Sequence, residues 1–379
     1  MKQPERYVEP RLTQYLFDRA SRTLTPLSGT FELSPVCNLA CKMCYVRKTP
    51  AEVAASPRPP VGLIQWLSIA EQARDAGMLY LLLTGGEPFL WQDFWPLYER
   101  LSTMGFLISI NSNGTLLDEA RVARLAEHPP TRINITLYGA GNETYEALCG
   151  RSGMFDRVDR AITLLRQAGI LVKLNCSLTP HNAGDLERIV SYAAERDLIL
   201  EVNTYMFPPL RRDPAMVGRN DRFTPAETAH YHMERYRLQR GEEDFTRFLQ
   251  NILRGIAPPP GLDEDCVDPV DGTISCRAGN ASFWVTWDGW LTPCGMMPKP
   301  RIELKGKPFR EAWSELESIV SVLESNTLEL EESLAAYERG VVLLGSLQKR
   351  LGAAEQQVEV LMGELVAAPD DETQDTTLS

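Results

Sequence analysis

No stretch of the chain approaches the roughly 18–20 consecutive apolar residues of a membrane span, and residues 1–10 are charged and Pro-bearing, unlike a signal peptide. A cytoplasmic chain with no membrane partner is expected. Histidine is scarce: the four are His128, His181, His230 and His232, and the last two stand two apart, which does not share a helix face. A histidine-based metal or acid–base site is therefore not expected. Eight cysteines in 379 residues are too few for a disulfide framework, so their clustering points to metal or redox chemistry. Beyond Trp313 there is no cysteine, one proline of 26 (Pro369), and three bases (Arg339, Lys349, Arg350) against 14 acids. That segment carries −11 of the formal net charge of −12, leaving −1 for residues 1–312. Neither part is basic enough to attract phosphates, so direct nucleic-acid binding is not expected. The contrast suggests two unlike pieces joined near residue 312.

What is present is an alternation. Apolar runs at 29–35, 78–84, 106–111, 132–138, 171–178 and 199–205 read as strands, and amphipathic stretches at 61–76, 91–104, 119–127, 156–168 and 185–195 read as helices. This pattern builds an α/β fold with a parallel sheet covered by helices, and runs such as LYLLL and FLISI suit strands buried on both faces. Six strands are visible, with helices between them. The functional rim of such a sheet is the C-terminal end of its strands. Polar residues collect there: Cys37, Thr84 to Glu87, Asn111 to Gly114, Tyr138, Ser177 and Asn203.

Cys37, Cys41 and Cys44, in PVCNLACKMCY, follow the first strand. Three thiolates on one short loop can hold three irons of a [4Fe–4S] cluster and leave the fourth iron open for chemistry. The alternative is structural zinc, which wants a fourth closing ligand. One strand later comes Gly85-Gly86-Glu87-Pro88, whose glycines allow close backbone approach and whose glutamate can receive an ammonium group.

Together the CxxxCxxC loop and the GGEP turn resemble the signature of the radical S-adenosylmethionine superfamily. The resemblance implies a partial (β/α)6 TIM-like barrel over residues 30–250, behind an N-terminal extension of residues 1–29. It implies a cluster on Cys37, Cys41 and Cys44, with S-adenosylmethionine chelated at the open iron. Gly85, Gly86, Glu87 and Pro88 would line the methionine amino group, and Asn113, Arg151 and Ser177 the ribose and carboxylate. Asn113-Gly114 also reads as a plain turn, and Arg151 as a solvated surface charge. The chemistry implied is reductive cleavage to a 5′-deoxyadenosyl radical that abstracts a substrate hydrogen, with a flavodoxin or ferredoxin as electron donor and no catalytic acid–base side chain.

After a Pro-rich connector, Cys276 and Cys294 frame CRAGNASFWVTWDGWLTPC. This resembles the opening of a SPASM domain, an auxiliary iron–sulfur module of enzymes that modify peptides, but the cysteines that should follow are missing. Residues 251–312 thus read as a truncated SPASM-like region. Cys266, Cys276 and Cys294 either hold one incompletely ligated auxiliary cluster or are free thiols; Cys149 and Cys176 read as buried thiols.

Trp313, Leu316, Val320 and Leu323 step in helical spacing, and apolar residues from Leu330 to Leu365 continue it in heptads. The heptads alone suit a coiled-coil tail. The segment LEESLAAYERG at 330–340 resembles the small subunit of exodeoxyribonuclease VII, which implies that residues 313–366 form an all-α hairpin able to bind the large subunit of that exonuclease, with 367–379 an acidic disordered tail. The competing function is therefore an accessory subunit for single-stranded DNA degradation, in which the α/β part is a passenger.

Overall fold

The computed structural model describes residues 11–206, 222–254 and 276–324. Cys266, the Pro-rich connector, the heptads beyond Glu324 and the acidic tail lie outside the described residues. The chain opens with helix α1 (Arg11–Thr23) and strand β1 (Ser28–Glu32). Helices α2 (Pro50–Ala54) and α3 (Leu63–Asp75) precede β2 (Tyr80–Thr84), and α4 (Phe94–Ser102) precedes β3 (Leu107–Ser112). Then come α5 (Glu119–Glu127), β4 (Arg132–Thr136), α6 (Asn142–Cys149), α7 (Met154–Gln167), β5 (Val172–Ser177), α8 (Leu186–Glu195) and β6 (Ile199–Asn203). Helices α9 (Pro225–Arg240) and α10 (Glu242–Leu253) follow, then β7 (Ser282–Val285), β8 (Trp290–Thr292), β9 (Ile302–Glu303) and α11 (Phe309–Glu324).

Strands β1 to β6 pair in parallel and in sequence order, as the alternation of apolar runs and helices requires. Among the described residues the sheet runs β6-β5-β4-β3-β2-β1-β7-β8-β9 and stays open. Phe31, Leu81, Leu83, Ile108, Ile110, Ile133, Ile135, Val172 and Leu174 lie in one continuous core with Trp66, Phe94, Leu97 and Leu165 from the helices. Local chemistry sets several helix starts: the Asp118 carboxylate accepts from the Arg121 N–H at the head of α5, and Thr49 and Glu52 cap α2 reciprocally.

The hairpin β7–β8 turns at Thr286-Trp287-Asp288-Gly289, where Gly289 sits at φ 85° and donates its N–H to the Thr286 carbonyl at 2.9 Å. Its first strand also pairs in parallel with β1, which extends the sheet on the side opposite β2. No local pattern announces that pairing, because it joins residues about 250 positions apart. The three tryptophans of this region are all engaged: Trp287 is buried, Trp290 is contacted by the guanidinium groups of Arg58 and Arg301, and Trp284 donates its indole N–H to Glu32 at 3.0 Å.

Helix α11 runs through the place where the composition changes. Its Phe309, Ala312, Trp313 and Leu316 are buried in the same core as the parallel strands. Phe283 of β7 packs against both Phe309 and Trp313, and the Trp313 indole N–H donates to the Leu24 carbonyl at 2.8 Å. Helices α1, α2, α6, α9 and α10 were not expected from the sequence. In α9 the apolar residues are spread around the helix instead of forming one stripe, so periodicity does not reveal it.

Candidate active site

The parallel register places Glu32 beside Thr84, and Ser112 beside Ile135, so the loops after β1, β2, β3 and β4 leave one edge of the sheet together. The loop after β1 carries Cys37, Cys41 and Cys44. It is tied to the turn after β2 by backbone bonds: Gly86 N–H donates to the Ser34 carbonyl at 2.6 Å and Glu87 N–H to the Val36 carbonyl at 3.0 Å. Here the two glycines serve a purpose that the sequence does not reveal. A Cβ at Gly85 would lie 2.4 Å from the Ser34 carbonyl oxygen, and one at Gly86 would lie 2.4 Å from that of Val36. The backbone they admit is the stem of the cysteine loop.

Donors surround the sulfurs. Leu39 N–H donates to Cys37 Sγ at 3.4 Å, Arg47 N–H to Cys44 Sγ at 3.3 Å, and the Asn113 amide to Cys37 Sγ at 3.6 Å. Burial, together with the charges of Glu87, Cys41 and Cys44, pushes the Cys37 thiol up to about 12, against the lowering bond from Leu39. Cys41 is pushed far above the ordinary thiol range, first by a hydrogen bond to Cys149 and then by burial, while the Tyr138 hydroxyl donates to its sulfur. Thiols raised in this way stay protonated at neutral pH without a metal, and binding one must release their protons. Among the described residues no three His, Cys, Asp or Glu side chains stand together as a ready metal cage. Cys149 and Tyr138 are the neighbours that act on the Cys41 thiol. The donor set nevertheless fits an iron–sulfur cluster: three soft sulfurs on one loop, each of two receiving N–H groups that stabilise a thiolate.

Glu87 is fully buried. Its carboxylate accepts from Ser112 Oγ at 2.9 Å, Asn113 N–H at 2.8 Å and Phe89 N–H at 3.3 Å. Burial raises it to about 7, partly offset by those three bonds. The side chain thus clasps the loop after β3 to the turn after β2, and Pro88 begins the short 3-10 helix that Glu87 caps. Because the folded carboxyl keeps its proton to a higher pH than the unfolded chain does, the stability it confers is complete below pH 4.5 and is lost as pH rises through about 7. Across that window the unfolding free energy of the wild type is expected to fall relative to Glu87→Gln by at most about 1.4 kcal/mol per pH unit. Urea melts of both proteins at a series of pH values measure it, and a constant difference would mean that Glu87 ionises like an exposed carboxylate.

Asn113 joins the same cluster: its side-chain NH2 donates to Asn38 Oδ1 at 2.9 Å as well as to Cys37, and its side-chain Oδ1 accepts from Thr115 N–H and Oγ1. It is therefore both a turn residue and a sulfur contact. Ser177 is half-buried at the end of β5, and its carbonyl accepts from Asn182, which also bonds the Tyr138 carbonyl at 2.9 Å. Arg151 is exposed, one residue beyond the left-handed Gly150 that ends α6. Cys276 is exposed and Cys294 half-buried, its sulfur accepting from Met296 N–H; among the described residues they do not group with a third metal donor. Asn38, Thr115, Asn182 and the pairing of the Cys149 segment with the Cys41 loop carry no signal in the sequence. Only Tyr138 had a signal, as a polar residue at a strand end.

The comparisons with known proteins come to the same region. A family model described as the radical SAM superfamily matches residues 31–193, and one described as the exonuclease VII small subunit matches residues 309–360. The chain is 32% identical over 287 residues to a probable GTP 3′,8-cyclase of Metallosphaera sedula, covering 74% of this chain and 83% of that protein. It is 23% identical over 326 residues to an AdoMet-dependent heme synthase of Methanosarcina barkeri, covering 84% and 90%. Among solved structures, Streptococcus suis SuiB bound to its precursor peptide SuiA superposes with a TM-score of 0.57 at 16% identity, covering 82% of this chain and 72% of that one. At that identity the likeness is one of fold.

Proposed function

The chain belongs to the radical S-adenosylmethionine superfamily, whose members bind a [4Fe–4S] cluster and S-adenosylmethionine, and from that premise we propose what its own residues do in such an enzyme. Cys37, Cys41 and Cys44 hold the cluster. Gly85, Gly86 and Glu87 shape the pocket for the methionine end of S-adenosylmethionine, and Asn113, Ser177 and Arg151 reach its ribose and carboxylate. Bound there, the cluster would supply an electron, received from a flavodoxin or ferredoxin, for reductive cleavage of S-adenosylmethionine and so for hydrogen abstraction from the substrate.

The protein's contribution is positioning. The observation that carries the reading is the direct stitching of the cysteine loop to the GGEP turn, through Gly86 N–H to Ser34 and Glu87 N–H to Val36. Glu87 holds the turn after β2 against Ser112 and Asn113, and Asn113 in turn touches Cys37, so one buried carboxyl fixes three loops. The N–H groups of Leu39 and Arg47 and the Asn113 amide stabilise charge on the sulfurs, which favours the reduced cluster.

The substrate we propose is a peptide. Support comes from the fold likeness to SuiB, solved with a precursor peptide, and from a sheet that stays open from β6 to β9 among the described residues. The test is 5′-deoxyadenosine formation by the anaerobically reconstituted full-length chain with dithionite and S-adenosylmethionine, alone and with peptides, GTP or a porphyrin. Stimulation by peptides supports the substrate class; stimulation by GTP or porphyrin replaces it; no 5′-deoxyadenosine from a protein carrying a full complement of iron and sulfide removes the reading.

A second reading rests on the match at residues 309–360. In it, residues 313–366 bind the large subunit of exodeoxyribonuclease VII. Capture of that subunit by the full-length chain in a pull-down supports it and failure removes it.

A further inference from the structure

The parallel strands β3, β4 and β5 have two unlike faces. On one, Ile108, Ile110, Ile133, Ile135 and Leu174 are buried in the core with the helices; on the other, Ser109, Asn111, Thr136, Lys173 and Asn175 alternate with them and are polar and half-buried. The register carries the polar face across the sheet, with Asn111 beside Asn134, Asn134 beside Lys173, Thr136 beside Asn175, and Asn175 beside Glu201. Some of these groups satisfy one another. Asn134 donates its side-chain NH2 to Asn111 Oδ1 at 2.7 Å, Lys173 is paired with Glu201, and Asn203 donates to Glu201 at 3.3 Å. Two do not: Asn134 Oδ1 and Asn175 Oδ1 are both shielded from solvent and have no hydrogen-bond partner among the described residues. Asn134 is only 6% exposed, so its carbonyl has given up water without a replacement. Native interiors leave few such acceptors, and two on one face, a diagonal step apart on neighbouring strands, mark a place where a donor is missing.

We propose that the side-chain carbonyls of Asn134 and Asn175 accept hydrogen bonds from the backbone N–H groups of an extended substrate segment lying on the polar face of the sheet. The inference deepens the peptide reading and rests on it for the substrate class. What the two atoms lack is a donor, and a neutral one suits them: Lys173, the cation in register with Asn134, is already paired with Glu201, which gives a phosphate-bearing ligand nothing to hold. Spacing favours a peptide backbone over an isolated amide. Asn134 and Asn175 stand one strand and two residues apart, about 8 Å between Cα atoms for strands ~4.8 Å apart that rise ~3.3 Å per residue. The N–H groups on one edge of an extended peptide repeat every second residue, about 6.6 Å, within reach of two side chains on that diagonal. Asn175 lies two residues before Ser177, so the segment would run directly beneath the strand end proposed to reach S-adenosylmethionine. Contacts of this kind read the backbone and leave the substrate side chains unread at those positions.

The test uses the full-length chain, anaerobically reconstituted and holding S-adenosylmethionine, and two probes. Acetyl-triglycine amide offers N–H groups and carbonyls; its fully N-methylated counterpart, acetyl-trisarcosine dimethylamide, keeps the carbonyls and has no N–H. Binding is read from the side-chain NH2 resonances of chain labelled with isotopic asparagine, those of Asn134 and Asn175 being identified by their loss in Asn134→Ala and Asn175→Ala. The first probe should shift both resonances and the second, at the same concentration, neither; Asn175→Ala should weaken binding of the first about five-fold, the effect of one net hydrogen bond. Equal shifts with both probes, or none with either, would overturn the proposal, and two acceptors filled by internal water would give the latter. A shift on adding S-adenosylmethionine that acetyl-triglycine amide does not extend would assign the acceptors to the cofactor and overturn it as well. If an alanine variant does not fold, the serine variant at that position takes its place. A peptide that stimulates 5′-deoxyadenosine formation while both resonances stay put sinks this inference and spares the peptide reading; shifts with the first probe alone, when no peptide stimulates, do the reverse.

Discussion

Replacing Cys41 by alanine is expected to lower 5′-deoxyadenosine formation by about 100-fold or more, to the level of a cluster-free control, because two sulfurs cannot hold a cluster that needs three. The effect should come with loss of bound iron and of the brown colour, measured on the same anaerobic sample. Cys41 is the informative member of the trio. It is the most buried of the three and is hydrogen-bonded to Cys149, so its removal also separates a structural thiol from a ligand. If Cys41→Ala kept its iron and its activity, the cluster would have to sit elsewhere, and Cys266, Cys276 and Cys294 would be the remaining candidates. Iron counts address that as well: about four irons per chain fit one cluster on the trio, whereas a number well above four would point to an auxiliary cluster.

The second large effect is expected at Gly86. A methyl group there meets three backbone atoms of the cysteine-loop stem, the Val36 oxygen at 2.4 Å, the Val36 carbon at 2.7 Å and the Pro35 oxygen at 2.8 Å. None is the flexible end of a side chain, so the loop itself must move. Gly86→Ala should cost about 3 kcal/mol in a urea melt, and the displaced loop should bind several-fold less iron even in the fraction that folds. Gly85→Ala adds a different strain, because φ at Gly85 is 147° and its Cβ meets the Ser34 oxygen. A Gly86→Ala protein with normal stability and iron content would show that the stem yields more easily than its bonds to Gly86 and Glu87 imply.

The parallel core was legible because its cause is local. LYLLL and FLISI are long enough and apolar enough to demand burial on both faces, and the helix from Glu119 to Glu127 has its capping aspartate next to it in sequence. The cysteine spacing and the GGEP turn were legible for the same reason: their chemistry is written within a dozen residues. What stayed hidden depends on distance along the chain. The pairing of β7 with β1 and that of the Cys149 segment with the Cys41 loop join residues more than 100 positions apart, and nothing near either partner announces the other. The role of the two glycines was half visible. Their freedom of approach was plain, but it took the structure to show that Ser34 and Val36 are what they approach.

Helix α11 has a consequence for how such a chain can change over generations. The match to the exonuclease small subunit begins at Phe309, yet Phe309, Ala312, Trp313 and Leu316 are core residues of the α/β body. A deletion beginning at residue 309 would strip Phe283 of both aromatic neighbours and leave the Leu24 carbonyl without its indole donor. The two ancestral-looking halves are thus no longer separable at the point where their sequences meet. Whatever selection keeps the first half folded also retains the first turns of the second.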